Sequence, residues 1–369
     1  MSVAALALPA SALLDAASDT AAAAARHAAE ADRTGELSPE VVTAVREAGF
    51  ARHLVPARHG GTEGTFSELT RAVAAVGESC AASAWFASLS AYSGRFAAYL
   101  PAEGQDEVWA HGPDAVIATG LVPSGTANEV DGGFVLGGTW RYVSGIGWSD
   151  WVLLCAPCPA DGEGQARFFA VPASSCAIEQ TWDSTGMRAT GSHSVVVPDT
   201  FVPRHRSVPR PQVLGGPNRT SRAVCHNTSF RAVGTLTFVA PALGGAAGAL
   251  ASCVELVKHG RRTPAGDEGL ARAAGLIDAA RLLVERNAAT ADTGSCTPRL
   301  LARNERDAAL AAEMLVSAVN GLVRAAGTHG MSQSHPLERH WRDVVCAAGH
   351  VALRFETAPA KNFAESLLA

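Results

Sequence analysis

The chain of 369 residues is 47% hydrophobic and 18% charged, a globular composition that excludes a disordered or collagen-like polymer and leaves room for two or three domains. Its formal net charge of −5 disfavours nucleic acid as a partner, because such binders carry a basic surface. Only Lys258 and Lys361 are lysines, so 28 of the 30 basic residues are arginines; lysine Schiff-base chemistry has almost no candidate, and planar anions are the favoured partners.

Residues 1–114 read as an N-terminal helical domain. The opening MSVAALALPASALLDAA has no basic residue before Arg26, whereas a secretory leader starts with positive charge, so a cytoplasmic protein is expected. Ala, Glu and Arg then fill a helix over 12–34. Ser38-Pro39-Glu40 opens the next, with serine as cap and proline at the first position. After the turn ARHGGTEG, the run FSELTRAVAAVGESCAASAWFASLSAYSGRFAAYL gives two amphipathic helices rich in small residues, stopped by Pro101.

Over 115–208 the apolar period drops to two. AVIATGLV, GGFVLGGTWRYVSG, DWVLLCAP, ARFFAVP, CAIEQTW and SHSVVVPDTFV are short β-branched runs split by Gly, Pro and Asp, which predicts a small central barrel or sandwich. Eight cysteines are spread through the chain without a dense framework and read as reduced thiols. Cys155 and Cys158 form a CxxC that ends a strand instead of opening a helix. No further ligands stand at zinc spacing, so core thiols and no metal site are expected.

Residues 209–369 return to helical periodicity in four long segments joined by short loops, which predicts a four-helix bundle. Within it, 232–254 carries no charge for a membrane-spanning length, but Pro241 and four glycines interrupt it. A buried helix in the bundle or at a subunit interface is the expectation, not a membrane span. From Thr200 to Val254 there is no acid, while Arg204, Arg206, Arg210, Arg219, Arg222 and Arg231 lie there. Either these pair with acids elsewhere or they form a mouth for a phosphate or an anionic substrate. No GxGxxG follows a strand, and no GxxxxGK[ST], GxSxG or HExxH is present, which argues against a Rossmann nicotinamide site, a P-loop, a serine-hydrolase elbow and a zincin. Helices, strands, then helices without βαβ alternation give an α+β, mainly α, chain.

Three motifs in order carry a resemblance over nearly the whole chain: GGFVLGGTWRYVSGIGWSDWVLL, TWDSTGMRATGSHSVVVPDTFVP and RHWRDVVCAAGH. They resemble the acyl-CoA dehydrogenase superfamily, whose fold is a helical domain, a β domain and a four-helix bundle, generally tetrameric. Most dehydrogenases of that family place a proton-abstracting glutamate eight residues after the aspartate of the RD pair. Here the aspartate is Asp343 and that position is Val351. A second subgroup puts its glutamate one helix earlier, where 228–244 has no acid; Glu255 and Glu356 are off-motif. The chain is therefore similar to the superfamily's other branch, the oxygenase components of two-component flavin monooxygenases. It looks most like aromatic-polyketide hydroxylases such as that of the actinorhodin pathway.

That resemblance implies reduced FMN, with FAD as an alternative, supplied by a separate NAD(P)H:flavin reductase. It implies a C4a-hydroperoxyflavin, a phenolic polyketide substrate and a homotetramer. It places the Ser144 hydroxyl as a donor beside the flavin N5 edge and Tyr142 along the ring. Trp85 stands near flavin or substrate. Thr119 and Ser124 fall in the loop that wraps the flavin, Arg261 (or Arg262) at its phosphate, and Thr328 in a turn that approaches a neighbour's cofactor. His350 replaces the tyrosine of the dehydrogenase motif, as a base or orienting group for a phenol. Some relatives carry a histidine where this chain has Tyr92 and Ser93, which are then the expected substitutes at the substrate. The alternatives on this scaffold are an acyl-CoA dehydrogenase, a phenol-coupling dimerase, an N-hydroxylase or a non-catalytic binding protein.

Overall fold

A computed structural model describes residues 12–259 and 263–368. The N-terminal part contains α1 (Ala12–Thr34), α2 (Pro39–Glu47), α3 (Phe66–Gly77), α4 (Ala81–Ala97) and α5 (Ala102–Val108). Ser38 caps α2, its Oγ accepting the Val41 N–H at 3.3 Å, with Pro39 in the first turn as the sequence predicts. Helix α4 is buried along nearly its entire length, so its alanines, serines and aromatics belong to the core and not to a surface.

Strands β1 (Ile117–Gly120), β2 (Thr126–Val130), β3 (Gly133–Val143), β4 (Trp151–Pro157), β5 (Ala166–Pro172), β6 (Ala177–Glu179), β7 (His193–Pro203) and β8 (Ser207–Pro209) form two four-stranded sheets. One runs β1-β4-β5-β8, with β1 parallel to β4; the other runs β2-β3-β7-β6 and is antiparallel. Phe134, Leu136 and Trp140 of β3 meet Val152, Leu154 and Phe169 of the facing sheet. Trp140 Nε1 donates to the Cys155 carbonyl at 2.6 Å, so the indole pins one sheet to the other. Cys155 and Cys158 are both free and buried.

The C-terminal part contains the short α6 (Arg210–Gly215), α7 (Val224–Asn227) and α8 (Phe230–Val233). The long α9 (Leu236–His259), α10 (Pro264–Asp292), α11 (Pro298–Ala326) and α12 (Pro336–Ala348) follow, then α13 (Ala358–Leu368). Helix α9 is the hub, packing on α3, α4, α10, α11 and α12. The four predicted long helices are present, but α13 adds a fifth element against α11, and α12 stops before His350.

Pro241 does not break α9 as its sequence suggests; the interruption falls earlier, at Gly234 and Thr235, between α8 and α9. A helical proline leaves the carbonyl four residues back without its donor. Here that carbonyl is Thr237, and Ser88 Oγ of α4 donates to it at 2.8 Å. Gly244 serves the same junction: a Cβ there would stand 2.2 Å from the Ala74 carbonyl oxygen of α3. Among the described residues, two helices, α9 and α11 with their flanks, are long and apolar enough to cross a membrane; the α9 stretch is mostly buried within the protein, as expected for a core helix.

Candidate active site

Strand β3 delivers Ser144 to the edge of the sandwich. The strand bulges just before it: pairing with β7 slips between Trp140 and Val143, and Tyr142 adopts a positive φ of 61°. The alternation that would put Tyr142 and Ser144 on one face is thereby broken. Tyr142 points outward, 70% exposed, and meets Trp182 edge-on. Ser144 is half-buried, and its neighbour Gly145 (φ 74°) donates its N–H to the Thr190 carbonyl at 2.9 Å, tying this turn to the TGS turn Thr190-Gly191-Ser192.

The hydroxyls of these turns form a relay whose direction can be worked out. Thr190 Oγ1 lies 2.9 Å from the Met187 carbonyl, which can only accept, so the threonine proton is committed there. Ser192 Oγ, 2.8 Å from Thr190 Oγ1, must then donate to it. Ser144 Oγ, 2.7 Å from Ser192 Oγ, donates in turn to Ser192. Trp85 Nε1 donates to Ser144 Oγ at 3.2 Å. Ser144 therefore presents a free lone pair and no free proton. The hydroxyl expected as a donor is held as an acceptor.

Trp85 joins this relay to a second cluster. Its indole meets the His350 imidazole edge-on, with centroids 5.9 Å apart, and packs 5.1 Å from Phe238 of α9. His350 itself stacks on Phe238 at 3.7 Å. Beyond the end of α12 it caps a short 3-10 turn, Nδ1 accepting the Ala352 N–H at 3.2 Å. Burial pushes this imidazole down to about 4, so it is neutral at pH 7. With Nδ1 occupied as an acceptor, the proton resides on Nε2, which has no hydrogen-bond partner among the described residues. The geometry makes His350 a donor toward the cavity; proton abstraction would need the other tautomer.

That cavity, of about 410 Å³, is walled by His350, Val351, Phe238, Phe230, Phe168 and Leu121, with Arg210, Arg231, Thr235 and Glu305 among the polar residues. Its size and mainly apolar wall suit a flat aromatic molecule. The residue at the dehydrogenase glutamate position, Val351, does face it, as a valine. Glu305 is the one carboxylate among the described lining residues, and it is already engaged: Arg231 donates Nε and Nη2 to its two oxygens at 2.8 and 2.9 Å, and Asn362 of α13 donates at 2.7 Å. Glu255 and Glu356 lie elsewhere. No cavity carboxylate is free to take a carbon-bound proton, which argues against the dehydrogenase reading.

Residues 10–109 match the N-terminal domain of acyl-CoA dehydrogenases and residues 236–355 match their C-terminal domain. The oxygenase component of a FADH(2)-dependent resorcinol hydroxylase from Rhizobium sp. is 30% identical over 347 residues, spanning 85% of this chain and 84% of that protein. The chain belongs to the acyl-CoA dehydrogenase family, in its flavin-dependent monooxygenase branch. Two solved structures agree. The 3-HSA hydroxylase from Rhodococcus sp. RHA1 superposes with a TM-score of 0.92 at 26% identity, covering 98% of both chains. XiaF from Streptomyces sp., solved with FADH2 and glycerol, gives 0.89 at 28% identity, covering 96% of this chain and 94% of that one.

The donor set of this monooxygenase fits a reduced flavin ring. Reduced flavin carries an N–H on its central ring, which the lone pair of Ser144 can accept, with the Trp85 indole beside it. The other expected positions are placed differently. Thr119 Oγ1 donates to Ser93 Oγ at 2.8 Å, and Tyr92 stacks on Phe66 in the core; Tyr92 and Ser93 are buried, Thr119 is half-buried, and none of the three lines this cavity. Tyr92 and Ser93 are turned inward because α4 is buried on all sides. Ser124 Oγ donates to the Thr139 carbonyl at 2.7 Å, fastening the β1–β2 loop to β3. Thr328 is exposed on a 3-10 turn after α11, also away from the cavity. Arg261 and Arg262 lie outside the described residues. Sequence reasoning missed Thr190, Ser192, Phe238 and Thr235. The TGS turn was visible as a motif, but its role as the acceptor of the Ser144 proton requires the fold.

Proposed function

We propose that this monooxygenase hydroxylates a phenolic ring of an aromatic polyketide through a C4a-hydroperoxyflavin, using reduced FMN delivered by a separate reductase, as a homotetramer. The observation that carries the reading is the chain of contacts Ser144–Trp85–His350, whose last member lines a mainly apolar cavity without a free carboxylate. The sequence similarity to a resorcinol hydroxylase supports a phenolic substrate. When bound, the reduced flavin supplies dioxygen activation and the transfer of one oxygen atom.

The chain's own residues do the rest. Ser144 accepts a hydrogen bond from the ring N–H and holds that proton in place. Trp85 fixes Ser144 through its N–H and packs against His350. His350 Nε2–H donates to the phenol oxygen, which favours negative charge there as the ring becomes electron-rich. Phe168, Phe230 and Phe238 exclude water and hold the ring plane. The test is turnover of the protein with FMN, an NADH:flavin reductase and polycyclic phenols under labelled dioxygen. One labelled oxygen atom in the product supports the reading. Reduction of bound flavin by an acyl-CoA, or a product of doubled mass, contradicts it.

A further inference from the structure

We infer that Arg210 recognises a carboxylate on the substrate, so that the cavity prefers phenols bearing an anionic group remote from the hydroxylated ring. The inference rests on reading this cavity as the substrate site. It starts from the acid-free run Thr200–Val254 and its six arginines. The structure separates them. Arg204 pairs with Glu129 at 2.7 Å, Arg206 with Glu107, and Arg231 with Glu305. Arg219 and Arg222 are exposed to water. Arg210 is half-buried, lines the cavity, and makes no hydrogen bond or ion pair with a described residue; its Nε is sealed from solvent without a partner.

A guanidinium stays protonated at any physiological pH, so it cannot relieve this situation by losing its proton. Among the described lining residues, Arg231 and Glu305 cancel each other and His350 is neutral at pH 7, which leaves one uncompensated positive charge in a mainly apolar wall. An unpaired charge in such surroundings is costly, and a planar carboxylate meets a guanidinium fork with two parallel hydrogen bonds. Another unpartnered polar atom lines the same cavity. Thr235 is 7% exposed, and its Oγ1 has no partner, so the lining holds a hydroxyl as well as a guanidinium left for a polar ligand. The backbone around Arg210 is rigid: it directly follows β8, whose Pro209 pairs with Arg167 of β5. A fixed backbone suits a residue that reads position and charge.

The test uses a hydroxynaphthoate and the matching naphthol without the carboxylate, titrated into the protein with oxidised FMN present and followed by tryptophan fluorescence. The wild type is expected to bind the hydroxynaphthoate about 30-fold tighter or more, in line with a buried charge pair. Arg210→Gln should bring the ratio close to one, and Arg210→Lys should restore part of it; naphthol and FMN affinities report that the site is still formed. A ratio near one in the wild type, no hydroxynaphthoate binding at all, or an unchanged ratio in Arg210→Gln overturns the inference. So does equal loss of both probes in both variants, which would make Arg210 a structural residue. Because no reductase or reduced flavin is present, these outcomes are separate from those that decide the oxygenase reading.

Discussion

At the residue scale, two side chains acquire roles from their partners that their identities alone do not give. Ser144 is an acceptor because Thr190 and Ser192 take up the protons of the relay. Ser144→Ala should therefore leave flavin binding largely intact while raising hydrogen peroxide released per product by up to about 10²-fold, the usual cost of removing one catalytic hydrogen bond. A peroxide assay beside product quantification checks this, and an unchanged ratio removes Ser144 from the account. His350 behaves as a buried neutral imidazole. Its folded value near 4 lies below the usual 6.5, so the unfolded chain binds more protons between these values. Stability conferred by neutral His350 is present above pH 6.5 and lost as pH falls toward 4. Denaturant melts of wild type and His350→Phe across this range should show the wild type losing more stability on acidification; parallel curves contradict the assignment. Neither partner set is visible in a string of letters. The serine in WRYVS was legible from the motif, whereas the direction of its hydrogen bond, and the bulge that turns Tyr142 outward, depend on strands distant in the chain.

At the element scale, α9 shows how a helix can carry a proline through a core. The carbonyl freed by Pro241 is satisfied from α4 by Ser88, and glycines allow α3 and α9 to touch. Ser88→Ala leaves that buried carbonyl without a donor and should cost about 1–3 kcal/mol in unfolding free energy, measured by denaturant titration. No measurable loss would mean that water replaces the hydroxyl. The helical and strand segments were legible because periods of 3.6 and two are local. The break in the uncharged run was not, because a proline acts as a breaker only when its freed carbonyl finds no other donor. The extra helix α13 was likewise missed: its short sequence carries little periodic signal, and its Asn362 contact with Glu305 is non-local.

At the scale of the whole molecule, the RD pair fastens the parts together. Arg342 of α12 forks to Asp32 of α1 at 3.0 and 2.7 Å and to Glu338 at 2.5 and 2.9 Å. Asp343 accepts the Met187 N–H beside the TGS turn, and burial pushes its carboxyl up to about 6. Arg342→Ala strands the half-buried Asp32 and the buried Glu338 carboxylates and should cost about 3 kcal/mol or more, with the N-terminal helix loosened first in hydrogen exchange. Uniform exchange with unchanged stability contradicts that clasp. The motif signalled the family but not this mechanical role. The arginine-rich run was legible as a composition, yet which arginine lacks an acid depends on strands and helices far away in sequence.

The central claim is that this chain binds reduced flavin and holds its oxygen adduct long enough to hydroxylate a phenol. The most direct measurement mixes the anaerobic protein and FMNH2 rapidly with oxygenated buffer and follows absorbance without substrate. A transient absorbing to the blue of oxidised flavin, persisting for seconds in the wild type and shortened in Ser144→Ala, is the predicted result. Flavin oxidation in a single step, at the rate of free FMNH2, would contradict it.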